Sequence, residues 1–102
     1  MARTALVFEP RGFSGPPSGT KEGARHLMRR ALAAIAVEPG EPTAWRLFQL
    51  TVAASEFRFG HYDAAAALAQ HAMLPRDQVP PIEAAGLYGL PLGVVRNQVL
   101  AL

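Results

Sequence analysis

The side chains of this chain that could carry chemistry are few, and their spacing keeps them apart. His61 and His71 stand ten residues apart, about 280° around a helix, and neither they nor His26 has a carboxylate at i+3 or i+4, so no metal-ligand pattern forms. Ser14, Ser18 and Ser55 lack the context of an activated nucleophile. The acids Glu9, Glu22, Glu38, Glu41, Glu56, Asp63, Asp77 and Glu83 form no close pair that would raise one pKa for general acid-base work. Gly12-Phe13-Ser14-Gly15 is not followed by Lys-Ser/Thr or preceded by a strand, so it is not a phosphate loop. The chain contains no cysteine, which removes disulfides, thiol catalysis and most structural zinc sites. The expectation is a non-enzymatic protein with no catalytic residue, no cofactor and no metal.

What remains is charge and shape. The chain has 102 residues, enough for one small core, and is 50% hydrophobic, but much of that share is alanine, which buries little surface per residue. The formal net charge is +2, too small to imply nucleic acid by itself. Every basic side chain except Lys21 is arginine, a balance associated with GC-rich bacterial coding. Lys21, Arg25 and Arg29, with Arg30 beside them, form a stripe on the first predicted helix and are the candidate partner-binding surface. Such a stripe suits an acidic peptide, a nucleic-acid backbone or an anionic lipid surface. The apolar run near Met1 spans about four residues where a signal peptide needs roughly seven to fifteen. No stretch approaches the roughly 20 apolar residues of a membrane span, so a soluble cytoplasmic protein is expected.

The elements that must position these side chains read as helices. Residues 1–18 are rich in proline and glycine and are expected to be a flexible arm, with Phe8 and Phe13 as its apolar exceptions. Residues 19–102 are expected to form one α-helical domain. After Thr20, a suitable N-cap, the apolar residues Ala24, Leu27, Met28, Ala31, Leu32 and Ile35 follow helical spacing and predict a single buried stripe. Pro39-Gly40 ends that helix, and Pro42-Thr43 opens a second that runs to about Phe59. The second helix carries apolar residues around much of its cylinder and is expected to be central. Gly60 is placed to close it in the left-handed conformation. An alanine-rich third helix is expected from about Tyr62 to Leu74, a short one from about Pro81 to Tyr88, and a last from Pro91 onward with Leu92, Val95, Val99 and Leu102 on one face. No segment alternates as a strand does.

The seam from Glu38 to Trp45, with structural residues Pro39, Pro42, Trp45 and, farther on, Gly60, resembles the tetratricopeptide repeat, a helix-turn-helix unit of about 34 residues. With Trp45 at the tryptophan position, Pro39 falls at the closing proline of a preceding repeat, Ala34 at its late alanine, and Leu27 and Ala31 at its other packing places. Phe48, Gln49 and Val52 replace the family's Leu, Gly and Tyr. Gly60-His61-Tyr62-Asp63 matches the interhelical turn, about one helical turn late, and Ala65, Ala69 and Ala72 take the Ala, Phe and Ala positions. The resemblance covers residues 24–75. It implies antiparallel helix packing and a surface that holds another protein or peptide; separately, the alanine-rich third helix and the apolar face of Leu92, Val95, Val99 and Leu102 make a second copy of the chain an expected partner.

Residues 83–102 resemble the helix-turn-helix of sigma-factor region 4, with Ala85 at the helix crossing, Gly89 in the turn, Leu90 and Val95 in the core and Pro91 opening the reading helix. In this alternative the protein is a small DNA-binding regulator that reads bases through Arg96, Asn97 and Gln98. The chemistry of those positions argues the other way, because Arg96 is the only cation on a helix that should meet several phosphates. The favoured expectation is therefore an all-α bundle of four to five helices with tetratricopeptide-like packing and a C-terminal helical corner capping helices 2 and 3, acting as an interaction module or adaptor.

Overall fold

The computed structural model describes residues 17, 19–38, 42–79 and 91–102. Among these residues the protein is all-α: α1 (Lys21–Val37), α2 (Thr43–Arg58), α3 (Tyr62–Ala72), a 3-10 turn (Arg76–Gln78) and α4 (Leu92–Leu100), with no strand. The arm and the short helix expected over 81–88 lie outside the described residues, apart from Pro17.

Each boundary has a local cause. Thr20 caps α1: its Oγ1 accepts from the Gly23 N–H at 3.0 Å and donates to the Pro17 carbonyl at 2.6 Å. The expected stripe of α1 is buried in full, from Ala24 to Ile35. At the far end of α2, Gly60 has φ +83°, and a Cβ added there would meet nothing within 4 Å. Glycine is required at that corner by the backbone and not by crowding. The alanines of α3 that face inward, Ala65, Ala66, Ala69 and Ala72, are all buried, so the helix axes approach closely there. Gly19 abuts the start of α3, since a Cβ on it would lie 2.7 Å from Asp63 Oδ1.

That contact sets the start of α1 beside the start of α3, while Arg46 near the start of α2 reaches Leu74 just past the end of α3. The first and third helices therefore run parallel, with α2 antiparallel to both. All three pack mutually, and α4 packs on α1 and α2. Two expectations change here. The centre is shared, because α1 and α2 each touch the three other helices. The last helix covers α1 and α2 and not helices 2 and 3, because α3 already fills the other side of the pair. Leu92, Val95, Val99 and Leu102 do face inward, with Val95 and Val99 fully buried. The large buried side chains among the described residues include Leu27, Met28, Leu32, Ile35, Leu47, Leu50, Phe57, Val95 and Val99.

Candidate functional site

Charged side chains gather at the two ends of the α1–α2 pair. At one end, Arg25 is half-buried and does three things: its guanidinium pairs with Glu22 one turn away, lies 5.5 Å from the Phe57 ring centroid, and donates to the Leu102 carbonyl at 3.1 Å. One turn along α1, Arg29 donates to the Leu100 carbonyl at 3.4 Å. The order of these contacts makes α4 antiparallel to α1. Helix C-terminal carbonyls lack intrahelical donors and carry the negative end of the dipole, so two guanidinium groups there fasten α4 down. Two of the three residues of the expected contact stripe are thus bonded within the chain. Arg25 and Arg29 are engaged with the protein's own last helix, and of the expected trio only Lys21 is left exposed without a polar partner among the described residues. The periodicity of α1 could not show this, because the partners lie 77 and 71 residues away.

The same end exposes apolar surface. Phe59, just beyond α2, keeps 75% of its surface in water and Leu100 keeps 52%. The Phe59 ring lies 6.2 Å from that of His61, whose Nδ1 is 2.7 Å from Glu56 Oε1. Beneath them Phe57 is buried, with the Tyr62 ring edge-on at 5.2 Å. Phe57 and Phe59, two positions apart at the end of α2, thus fall on opposite sides, one toward the core and the other toward solvent.

At the other end sits a residue that sequence reasoning missed. Arg46 is the buried charged side chain among the described residues, 3% exposed. Its guanidinium donates to the Leu74 carbonyl at 2.6 Å and lies 3.4 Å from Glu38 Oε1, joining the ends of α1 and α3 to the start of α2. Arg76 in the 3-10 turn approaches the other oxygen of Glu38 at 3.9 Å. The signal was present in the spacing: Arg46 shares a stripe with Leu50, Ala53 and Phe57. Its neighbour Trp45, expected to fill the seam, is half-buried, and Pro42 before it is buried. Pro39 lies outside the described residues.

On α4, Arg96 and Asn97 are exposed, while Gln98 is half-buried with its Oε1 closed off and unbonded. The three residues named for base reading therefore do not share one outward face. Among the described residues no group of three histidine or acidic side chains is placed to hold a metal, and no helix is long and apolar enough to cross a membrane. No family model, curated protein or solved structure matches this chain.

Proposed function

We propose that this protein is a small cytoplasmic interaction module or adaptor, a tetratricopeptide-like stack of helices that holds another protein or peptide, a second copy of itself included, and does no catalysis. The observation that carries the reading is the end of the bundle where Phe59 and Leu100 stand exposed around the Arg25 contact. Exposed aromatic and aliphatic side chains next to a fixed guanidinium are the composition favoured at the centre of protein interfaces. Burying that end would add apolar contact to a chain of this small size.

The test is site-specific crosslinking. A photoreactive phenylalanine analogue placed at Phe59 is expected to capture a defined partner in cells, while the same group at Gln70 on the exposed side of α3 captures none. Equal capture from both positions, or none from Phe59 in a folded variant, refutes the assignment of this end. Sedimentation of the purified chain with and without Phe59→Ser separates a second copy from a different partner.

A further inference from the structure

We infer that α4 is an exchangeable element of this fold, and that its seat on α1 and α2 also takes the α4 of a second copy of the chain. Val95 and Val99 are fully buried and, four residues apart, lie on one face of the helix. Among the described residues α4 packs on α1 and α2 alone. Arg25 and Arg29, also four apart, hold the Leu102 and Leu100 carbonyls at 3.1 and 3.4 Å. None of these contacts depends on which chain supplies α4. The helix of a second copy meets the same valine seat and the same two guanidinium groups, and a reciprocal exchange closes a two-fold pair. The seat selects a helix with two β-branched side chains four apart and free carbonyls just beyond them, and Val95 and Val99 are the one such pair in the chain.

Several observations make α4 the element that parts from the rest. It is nine residues long, buries two of them and has no side-chain cap at its start, whereas α1 buries seven residues and α2 six. Its Gln98 Oε1 is closed off from water without a donor, which opposes docking. The arginines meet neutral carbonyls, and the Arg29 contact is exposed, so water competes for it. A helix this short does not persist in water by itself, so α4 leaves by local unfolding, at less cost than opening α1 to α3. The covalent link permits the exchange. Pro91 follows Val79 by 12 residues, at most about 40 Å of chain, while the 17 residues of α1 measure about 25 Å. Docking within one chain competes with exchange, so exchange grows with protein concentration.

The test is complementation between two full chains that each lack one half of the contact. One carries Arg25→Gln and Arg29→Gln, which weakens its seat and leaves its α4 intact, and it alone is isotope-labelled for NMR. The other, unlabelled, carries Val95→Asp, so that its own α4 cannot dock and its seat stands open; Val95→Ser takes its place if the charge unfolds the whole chain. Alone, the labelled chain is expected to exchange its Val95 and Val99 amides at least tenfold faster than the parent. An equimolar mixture at about 0.5 mM is expected to slow both amides at least tenfold again and to sediment as a dimer. Adding Arg25→Gln and Arg29→Gln to the unlabelled chain is expected to abolish that recovery. Phe59→Ser in both chains is expected to leave it unchanged, which separates this seat from the exposed end at Phe59. Failure of the mixture to restore protection overturns the exchange. So does protection that persists in the labelled chain alone, because the arginines then do not hold α4. A recovery lost with Phe59→Ser and kept without the arginines overturns it too, because the copies then meet elsewhere.

Discussion

Replacing Arg46 by alanine should destabilise this protein more than replacing Trp45, its neighbour and the only tryptophan. The magnitude follows from what each side chain touches. Arg46→Ala removes two buried methylenes, about 1.6 kcal/mol at roughly 0.8 kcal/mol each. It also leaves the Leu74 carbonyl without the donor now 2.6 Å away, about 1.5 to 3 kcal/mol for a bond to a charged group. The Glu38 contact adds little because that carboxylate is 55% exposed and 3.4 Å away. Removing the unbonded Nε returns about 1 kcal/mol, so the net loss is about 3 kcal/mol. A full burial would make Trp45→Ala cost about 3 to 5 kcal/mol, but Trp45 is half-buried, and about 2 kcal/mol is expected. Arg46→Met keeps most of the stem and should lose only about 1 kcal/mol, which separates the methylenes from the charge. Urea unfolding followed by helical circular dichroism measures all three on one scale. Arg46→Ala within about 1 kcal/mol of the parent, or Trp45→Ala the costlier of the two, would refute the assignment of Arg46 as the tie between three helices.

Gly60→Ala should cost about 1 kcal/mol, and melting temperature should fall by about 5 °C, because the added methyl has room and only the positive φ resists it. The double substitution Arg25→Gln, Arg29→Gln should release α4 while α1 to α3 stay folded, seen as amide exchange accelerating at least tenfold at Val95 and Val99 with other helices protected. Uniform exchange in all helices would mean that α4 is not a separable element. Val95→Asp places a charge in a fully buried position and should lose α4 docking outright, with the change read by sedimentation as well as exchange. Specific duplex DNA binding is not expected at low or physiological salt, and a gel shift abolished by Arg96→Ala would replace the adaptor reading with the regulator.

The fold was legible where one signal decided the outcome alone. The stripe from Ala24 to Ile35, the Thr20 cap and the Gly60 turn each depend on local stereochemistry, and each stands where the spacing put it. Partner choice between helices was not legible. Whether α4 rests on α1 and α2 or on α2 and α3 depends on which groove α3 leaves open, and the apolar face of α4 is the same in either case. The candidate surfaces suffered from the same gap. An arginine three residues from a glutamate, as Arg25 is from Glu22, reads as a solvated pair until a carbonyl from the far end of the chain is brought to it. Arg46 was missed for the opposite reason, because a cation on an apolar stripe is discounted when the spacing of apolar residues alone is followed.

The contacts that hold α4 to α1 join residues 71 and 77 positions apart, while α2 and α3 meet across a single tight turn. Loop closure therefore orders assembly in time. The α2–α3 hairpin and its packing on α1 involve near neighbours and form early, and α4 docks last because its contacts carry the largest closure entropy. During synthesis the chain leaves the ribosome from its N-terminal side, so α1, α2 and α3 emerge well before Val95 and Val99. For that interval the seat of α4 is uncovered. At about 5 to 20 residues per second the stretch from Ala72 to Val99 takes roughly 1 to 5 seconds to follow, during which the nascent protein displays an apolar groove that α4 later closes.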